Sequence, residues 1–414
     1  MSESPKSPFH VASEVAPLRQ VLVHTPGEEM ALVSPERKLE LLFDDILFAE
    51  VAREEHALMC ALFERVIGQA DGVLQLSDLL LEAFQKEDAR AEFVTRLINA
   101  LPERHFEAYE SELLRLSAQE LHRFALTGES PLTIKAPPLP NLIFTRDLSA
   151  VVGGTLILSH AATEARMRDS VIIAVIARHH ERFAPFRDSL VEVPPHVSFE
   201  GGDLLVVNEE VVLIGQSERT SLGGVMAVTQ ALLERTAVRH VLMVNLPRER
   251  SCMHLDTVFT FADEETCVVY PPIIEQQRYN VFHITPGERR MEFTTRILPN
   301  LKTALDELTG RNHNFIPCGG SDPLNQRREQ WTDGANLFAT APGMVVGYER
   351  NRKTFEAMRD SGFHVVDADS FLDFYADGQL PQGERIAIRL PGNELSRGRG
   401  GPRCMTMPLR RGDA

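Results

Sequence analysis

Residues 199–219 read FEGGDLLVVNEEVVLIGQSER, and this stretch decides the fold because it contains one complete copy of a repeated unit. It begins with the acid Glu200, continues through the apolar run Val211 to Ile214, and ends on Arg219. An apolar run of this length followed by a polar turn is typical of a strand. The arginine then opens a run with a helical pattern.

The spacing between acid and arginine recurs at two other places in the chain. Asp147 precedes Arg166, and Asp333 precedes Arg352, by the same number of positions that separates the acid and the arginine of the first unit. The copies that begin at Asp147 and at residue 200 are offset by roughly 50 residues, and a period of this size indicates repetition of one supersecondary unit. Because each unit mixes strands with a helix, the repeat favours a closed α/β arrangement over an all-β propeller.

Equivalent positions of radially arranged units converge on a common axis, and this geometry predicts which side chains meet. It brings Asp147 and Glu200 together and places Arg166 and Arg219 on a matching ring. His254 follows Glu200 at nearly the same interval at which Glu200 follows Asp147, and it therefore falls in the same register. The repeat thus predicts a cluster of acids, arginines and one imidazole at the axis.

The composition is that of a globular protein without a basic face. The 414 residues suffice for about two to three domains of ordinary size, or for one domain with an insertion. Hydrophobic residues make up 43% of the chain and charged residues 25%, close to globular averages. The formal net charge of −16 argues against nucleic acid as a partner.

Membrane insertion and secretion are not expected either. The longest strongly apolar run, residues 171–177, is far shorter than the ~20 residues that span a bilayer. Residues 1–10 lack the apolar centre of a signal peptide. The five cysteines are scattered, without a CxxC pair that would suggest a zinc site or a redox couple. These thiols suit a reducing cytoplasm.

The stretch from about residue 77 to residue 130 differs from its surroundings because it lacks strand signals. Phe93, Leu97 and Leu101 follow one another at four-residue spacing, and Ser117 with Glu120 predicts a capping box. A helical pattern also covers residues 40–68, and the Pro-rich segment 136–140 ends the region. We therefore expect three parts: residues 1–76, the first part of the α/β unit; residues 77–135, an inserted helical bundle; and residues 136–414, the remainder of the α/β unit.

Residues 398–405 surround one thiol, Cys404, with three glycines and two arginines. Positive charge and backbone donors lower a thiol pKa from ~8.5 toward the reactive range, so this pattern predicts a nucleophile. The alternative is a loop whose cysteine has no function. The other cysteines lie in apolar or helical surroundings that are typical of a core: Cys60, Cys252, Cys267 and Cys318.

Two short motifs supply candidate acid–base groups. Residues 199–203 place Glu200 and Asp203 around a glycine pair, where backbone can approach closely. Residues 253–256 place His254 and Asp256 two positions apart, which puts them on one face of a strand. Each motif alone is more typical of a turn or of a satisfied polar pair. Glu200 and His254 fall in the register of the repeat, and this position favours a functional site over a simple turn or polar pair.

These charges suggest a substrate with a guanidinium at one end and a carboxylate at the other. Carboxylates at Asp147 and Asp256 match a guanidinium, and the two arginines of the repeat match a carboxylate. L-Arginine carries both groups. A thiolate at Cys404 would attack the guanidinium carbon. His254 would protonate the departing ammonia and then deprotonate the water that hydrolyses the adduct.

Six motifs, in order along nearly the whole chain, resemble those of the arginine deiminase family. They are residues 140–147 (PNLIFTRD), 199–203 (FEGGD), 217–220 (SERT), 253–257 (MHLDT), 328–334 (REQWTDG) and 397–405 (RGRGGPRCM). Residues 13–15, 21–24 and 42–46 are also similar to the family. The resemblance implies a five-unit α/β propeller with pseudo-fivefold symmetry and an inserted α-helical domain.

The resemblance also implies a role for each candidate residue. Cys404 would be the nucleophile, His254 the general acid and base, and Glu200 the residue that orients His254. Asp147 and Asp256 would bind the guanidinium. The rest of the substrate would be held by Asn141, Arg166, Arg219 and Asp203, and Arg399 would contact the substrate while gating the nucleophile loop.

The implied reaction is hydrolysis of L-arginine to L-citrulline and ammonia through a covalent S-alkylthiouronium intermediate, without a metal or an organic cofactor. The implied setting is the cytoplasm, and the implied assembly is a homodimer or homotetramer. A methylarginine hydrolase or an amidinotransferase would use the same fold, and citrulline formed from unmethylated arginine without an amine acceptor distinguishes them. A relative that only binds arginine as a sensor is disfavoured by the intact thiol, imidazole and carboxylates.

Overall fold

The computed structural model describes residues 9–100, 109–278, 280–289, 291–379 and 383–412, and over these ranges the fold is mixed α/β. The strands are β1 (Leu18–Val23), β2 (Val73–Gln75), β3 (Ser149–Val152), β4 (Thr155–Leu158), β5 (Val191–Glu192), β6 (Leu204–Val206), β7 (Val211–Gln216), β8 (His240–Asn245), β9 (Phe259–Phe261), β10 (Thr266–Val269), β11 (Val281–Pro286), β12 (Phe293–Leu298), β13 (Asn314–Pro317), β14 (Phe338–Ala341), β15 (Met344–Tyr348), β16 (His364–Asp367), β17 (Ile386–Leu390) and β18 (Met407–Arg411). The helices are α1 (Glu28–Ala31), α2 (Ala49–Ile67), α3 (Leu76–Ala83), α4 (Glu87–Ala100), α5 (Glu110–Leu113), α6 (Ala118–Thr127), α7 (Glu164–His179), α8 (Leu222–Arg235), α9 (Pro271–Ile274), α10 (Leu301–Thr309), α11 (Pro323–Trp331), α12 (Arg352–Asp360) and α13 (Ala368–Phe374).

The described strands form five sheets, and all five contain the same three-strand pattern. In each sheet a central strand pairs antiparallel with one neighbour and parallel with the other. The parallel partner follows the central strand through a crossover that includes at least one helix, as parallel pairing requires. The five patterns are β3-β4-β5, β6-β7-β8, β9-β10-β13, β14-β15-β17 and β18-β1-β2.

The turn before the first strand of each pattern carries a polar or reactive side chain. Three of these turns are buried 3-10 helical turns, at Thr145–Leu148, Gly201–Asp203 and Leu255–Thr257, and neighbouring turns contact one another. Because the pattern repeats, these turns lie at equivalent ends of their sheets. The side chains are Asp147 before β3, Asp203 before β6, Asp256 before β9, Asn336 before β14 and Cys404 before β18.

Helices α3 to α6 occupy the described part of the stretch predicted as an inserted bundle. The predicted capping box of α6 is confirmed, because Ser117 and Glu120 each accept from the other's backbone N–H. Phe93 and Leu97 are buried on one side of α4, which packs on α7. Leu101 lies outside the described residues.

The apolar run at residues 171–177 belongs to α7 and is buried along its whole length. Helix α7 lies between the sheet β3-β4-β5 and the helices α3 and α4, so apolar side chains meet partners on several sides. Among the described residues, no helix combines the length and the apolar composition that a bilayer crossing needs.

The helical pattern predicted for residues 40–68 is confirmed only from Ala49 onward, where α2 begins. Leu42 has a φ of 66°, a left-handed conformation that a right-handed helix does not accommodate. The carbonyl of Leu42 accepts from Arg250 at 2.7 Å instead of a helical N–H. Tertiary contacts therefore override the local helical pattern at Leu42, which lines a cavity.

Candidate active site

One cavity brings most of the predicted site residues together. Seven of the ten predicted residues line it, and Glu200 and Asp256 contact lining residues from outside. Asp203 lies outside the cavity as well. The lining residues are Leu42, Asn141, Phe144, Asp147, Arg166, Arg219, Arg250, Met253, His254, Thr257, Gly398, Arg399 and Cys404.

The thiol of Cys404 faces a carboxylate. Its Sγ lies 3.7 Å from Oδ2 and 4.0 Å from Oδ1 of Asp256. The backbone N–H of Cys404 donates to Asn336 Oδ1 at 3.1 Å, and Asn336 Nδ2 donates to the carbonyl of Asp256 at 3.0 Å. Asn336, which the sequence analysis did not identify, thus joins the turn that carries Cys404 to the turn that carries Asp256.

The pKa of Cys404 is raised well above its ordinary value, which contradicts the electropositive environment expected from its sequence neighbours. Burial is the largest cause, and the charges of Asp256, Asp147 and Asp333 add to it. The two arginines that precede Cys404 in the loop bind other groups: Arg403 donates to Asp256, and Arg399 stacks on a tryptophan. A cation placed next to the sulfur would lower this pKa.

His254 forms a buried ion pair on another side of the cavity. Its Nε2 lies 2.9 Å from Glu200 Oε2, and its Nδ1 lies 3.7 Å from Asp147 Oδ1. Burial opposes the charged imidazole, but Asp147 and the hydrogen bond to Glu200 outweigh it and raise the pKa of His254 to about 10. Burial raises the pKa of Glu200, but the charge of Arg219, the hydrogen bond to His254 and the charge of Arg166 outweigh burial and hold this pKa below its usual value. His254 is therefore an imidazolium at neutral pH.

Residues 253–256 are not the strand that the sequence suggested. His254 is extended, with φ −134°, but Leu255–Thr257 forms a 3-10 helical turn. The turn sends the two side chains to different partners, so His254 contacts Glu200 while Asp256 faces Cys404. The carbonyl of His254 accepts the hydroxyl of Thr257 at 2.6 Å, which stabilises the turn against an extended strand.

Arg166 occupies one oxygen of Asp147. Its Nη1 donates to Asp147 Oδ2, its Nε donates to Asp169 Oδ2 at 3.0 Å, and its Nη2 donates to the carbonyl of Asn141 at 3.2 Å. Asp147 Oδ1 has no hydrogen-bond partner among the described residues. One carboxylate oxygen of Asp147 is thus left for a ligand.

Asp256 is arranged in the same way, with a different arginine. Arg403 Nη1 donates to Asp256 Oδ2 at 2.8 Å, and Arg403 Nε donates to Glu14 Oε2 at 3.1 Å. Sequence reasoning missed both Arg403 and Glu14. The only signals were the position of Arg403 next to Cys404 and the similarity of residues 13–15 to the family.

Asp203 is buried, and both of its carboxylate oxygens accept hydrogen bonds from other residues of the protein. Its Oδ1 accepts from Leu255 N–H at 2.8 Å, and its Oδ2 accepts from the hydroxyl of Ser217 at 2.6 Å. Burial raises the pKa of Asp203 to about 7, against the lowering effect of His254. Asp203 thereby ties the turn after His254 to the end of β7.

Arg219 and Asn141 line the cavity with donors that the protein uses only in part. Arg219 Nη1 lies 3.7 Å from Glu200 Oε1, and its Nε has no hydrogen-bond partner within the described ranges. Asn141 Nδ2 donates to the carbonyl of Leu41 at 2.8 Å. Arg219 therefore has donor capacity left for a carboxylate in the cavity.

Arg399 stacks on Trp331 at the edge of the cavity, with Cζ 3.5 Å from the ring centroid. Its φ of 65° is left-handed, and its Nη2 reaches the carbonyl of Arg250 at 3.4 Å. Its Nε and Nη1 lack partners in the described part of the chain. Sequence reasoning placed Trp331 in a family motif but did not connect it with Arg399.

One group of side chains has ligand atoms close enough together to hold a metal ion: Asp147, Glu200 and His254. Their ligand atoms lie within 4.8 Å of one another, and no other such group occurs among the residues described. His254 and Glu200 already bond each other, and Arg166 lies 3.6 Å from Glu200 while it also contacts Asp147. The negative charges are therefore balanced by protein cations, which fits an ion-pair network better than a metal site.

A family model and the curated relatives of this chain agree with each other. The family model described as arginine deiminase matches residues 39–411. An arginine deiminase of Listeria welshimeri is 36% identical over 430 residues, covering 97% of this chain and 98% of that protein. An arginine deiminase of Oenococcus oeni is 32% identical over 434 residues, covering 99% and 98%. A solved structure of DDAH from Pseudomonas aeruginosa with citrulline has 14% identity and a TM-score of 0.49, covering 94% of this chain and 99% of that chain.

Proposed function

The chain belongs to the arginine deiminase family, and we propose from this membership that it hydrolyses L-arginine to L-citrulline and ammonia with Cys404 as the nucleophile. One observation supports the roles assigned to Cys404 and His254. A thiol 3.7 Å from Asp256 shares a cavity with an imidazole that is bonded to Glu200 at 2.9 Å. A nucleophile and a proton carrier that face one cavity are what covalent hydrolysis of a guanidinium requires.

The substrate guanidinium lies between Asp147 and Asp256 in this proposal. Each carboxylate has one oxygen bound to a protein arginine, Arg166 or Arg403. The Oδ1 atoms are left for the substrate, whose planar fork of N–H donors matches them. The substrate carboxylate and amine lie toward Asn141, Arg166 and Arg219, and Arg399 is the outer contact that the family resemblance implies. The resemblance also implies Asp203, but both of its oxygens accept from protein donors, so we assign it a role in holding the site together.

The first half of the reaction forms a covalent adduct. The positive guanidinium lowers the pKa of Cys404, and the thiol proton leaves to solvent. The thiolate attacks the guanidinium carbon and forms a C–S bond. His254, charged in the free site, donates its proton to the departing nitrogen, ammonia leaves, and an S-alkylthiouronium remains.

The second half releases citrulline. His254, now neutral and still bonded to Glu200, removes a proton from water, and the hydroxide attacks the same carbon. The C–S bond breaks, the carbonyl of citrulline forms, and the sulfur regains a proton. Every proton transfer uses His254 or solvent, so the scheme needs no metal or organic cofactor.

The proposal is tested by incubating the purified protein with L-arginine and measuring citrulline and ammonia, beside a Cys404→Ala variant. We expect equal amounts of both products from the wild type and neither from the variant. Failure of the wild type over a range of pH, or equal activity of the variant, contradicts the assignment. Product only from methylated arginine, or only with an added amine, would instead indicate the methylarginine hydrolase or amidinotransferase reaction.

We also propose that the five sheets close into a five-unit α/β propeller with pseudo-fivefold symmetry. The common antiparallel and parallel pattern of all five described sheets supports this closure. Helices α3 to α6 support residues 77–135 as an inserted domain between residues 1–76 and 136–414. The five free, buried cysteines support a reducing cytoplasm, and the family resemblance supports a homodimer or homotetramer, which light scattering would measure.

A further inference from the structure

We propose that Glu14 and Arg403 are positioning residues that hold Asp256 in the orientation that receives a guanidinium. The inference rests on the proposed function, because it gives Asp256 a substrate to receive. Neither residue lines the cavity, and the two lie near opposite ends of the chain. Their effect on the reaction is therefore indirect and passes through Asp256.

Arg403 is enclosed on all sides, with 1% of its surface exposed. Its Nε donates to Glu14, its Nη1 to Asp256 Oδ2 at 2.8 Å, and its Nη2 to the carbonyl of Leu204 at 2.8 Å. These acceptors lie in different directions around one plane. A guanidinium serves them together because its donors form a rigid fork, which a lysine ammonium does not reproduce.

Glu14 is fixed to β6, the strand that begins with Leu204. Its backbone N–H donates to the carbonyl of Val206 at 2.8 Å, and its Oε1 accepts from Val206 N–H at 3.3 Å. Burial raises its pKa, but Arg403 and Arg146 outweigh burial and lower it to about 2. Glu14 is thus an anion at neutral pH, held by β6 and aimed at Arg403.

Arg403 donates hydrogen bonds to two acids, Glu14 and Asp256, and this sharing determines how Asp256 is oriented. Because Glu14 accepts from Nε and the carbonyl of Leu204 accepts from Nη2, Arg403 offers Asp256 only Nη1, which donates to Oδ2. The other oxygen, Oδ1, is not bonded to Arg403, and it lies 4.0 Å from Cys404 Sγ, slightly farther than Oδ2 at 3.7 Å. Without the charge of Glu14, Arg403 would be drawn toward Asp256 and would occupy both oxygens, which removes the acceptor for the substrate.

The test compares two alkylating reagents of the same shape and different charge. 2-Chloroacetamidine is a cation with guanidinium-like N–H donors, and 2-chloroacetamide is its neutral counterpart. Each forms a C–S bond with the thiolate of Cys404 and releases chloride, and the thiol proton goes to solvent. The ratio of the two rates reports the attraction of a cationic donor to Asp256, since changes in thiol reactivity or exposure affect both reagents.

We expect the wild type to prefer the amidine, and Glu14→Gln and Arg403→Lys to lower the preference about tenfold or more. Arg411→Lys is the matched control, since Arg411 is buried, binds the carbonyls of Ala16 and Ala339, and does not contact the site. Its preference should stay within about twofold of the wild type. Thermal unfolding verifies that each variant is folded. If Arg403→Lys does not fold, the preference measured for Glu14→Gln is sufficient to test the proposal.

An unchanged preference in folded Glu14→Gln, or no preference in the wild type, would overturn the inference. The outcome is separate from that of the proposed function, because alkylation requires no turnover. A wild type that forms no citrulline but prefers the amidine would refute the reaction and keep the positioning role.

Discussion

The Sγ atom of Cys404 lies 3.7 Å from Oδ2 of Asp256, so the nucleophile of the free site is placed next to an anion. Burial and this charge raise the pKa of the thiol well above its ordinary value. A raised pKa keeps the sulfur protonated, so we expect alkylation of Cys404 by iodoacetamide to be slow at neutral pH and to keep accelerating beyond the pH at which an ordinary thiol reaches its plateau. Mass spectrometry of the peptide that contains Cys404 measures the rate. A rate that reaches its plateau below about pH 8 would contradict the raised pKa.

The ion pair between His254 and Glu200 should make stability depend on pH. The folded pKa of His254 is about 10 and its ordinary value is 6.5, so the stabilisation is complete below about pH 6.5 and disappears as pH rises through about 10. His254→Asn lacks this contribution. We expect the difference in melting temperature between wild type and variant to be larger at about pH 6 than at about pH 10. A difference that grows with pH would show that the imidazole is neutral in the folded protein.

Replacement of Asp203 should affect stability more than substrate affinity. Its carboxylate accepts from Leu255 N–H and from the hydroxyl of Ser217, and it does not line the cavity. Asp203→Asn places a donor against one of these donors, so we expect a loss of about 1–3 kcal/mol in the free energy of unfolding. Denaturant titration measures this loss, and steady-state kinetics should give a KM within about threefold of the wild type. A large rise in KM with unchanged stability would indicate direct contact with the substrate.

The stacking of Arg399 on Trp331 gives a direct signal of movement at the cavity edge. Trp331 is the sole tryptophan of the sequence and is 45% exposed. If Arg399 leaves the ring to contact the substrate, the indole exchanges a cation for water, and its emission changes. We expect a saturable emission change when L-arginine is added to Cys404→Ala, which binds without turnover.

The matched control for this experiment is Cys404→Ala combined with Arg399→Ala. Removal of the guanidinium should abolish the saturable change while arginine binding, measured by calorimetry, persists. An identical emission change in the control would mean that Trp331 responds to the substrate and not to Arg399.

The repeat in the sequence predicted the centre of the site well. It placed Asp147, Glu200 and His254 in one register, and the structure brings the two carboxylates to 3.7 Å and 2.9 Å from the imidazole. It also paired the arginines with the acids, as Arg166 contacts Asp147 and Arg219 lies 3.7 Å from Glu200. Spacing was informative because Asp147 lies within the 3-10 turn of its unit, and Glu200 and His254 immediately precede the corresponding turns of theirs.

The direction of side chains in the nucleophile loop could not be predicted in this way. Arg399 and Arg403 are both close to Cys404 in sequence, which suggested a positive environment. The left-handed backbone of Arg399 directs it to Trp331, and the contacts of Arg403 direct it to Glu14 and Asp256. These directions depend on residues far away in the chain, so the local charge pattern gave the wrong sign for the thiol pKa.

The pairing of β18 with β1 sets when the site can form during synthesis. Leu22 of β1 pairs with Met407 of β18, and Cys404 lies on the turn that leads into β18. During synthesis the ribosome therefore makes β1 early, and it makes Cys404 and β18 late. Strand pairs so distant in sequence form slowly because a long loop must close first. The acids, the imidazole, Arg166 and Arg219 can be in place before the thiol is made, and we expect the nascent protein to be inactive until β18 pairs with β1.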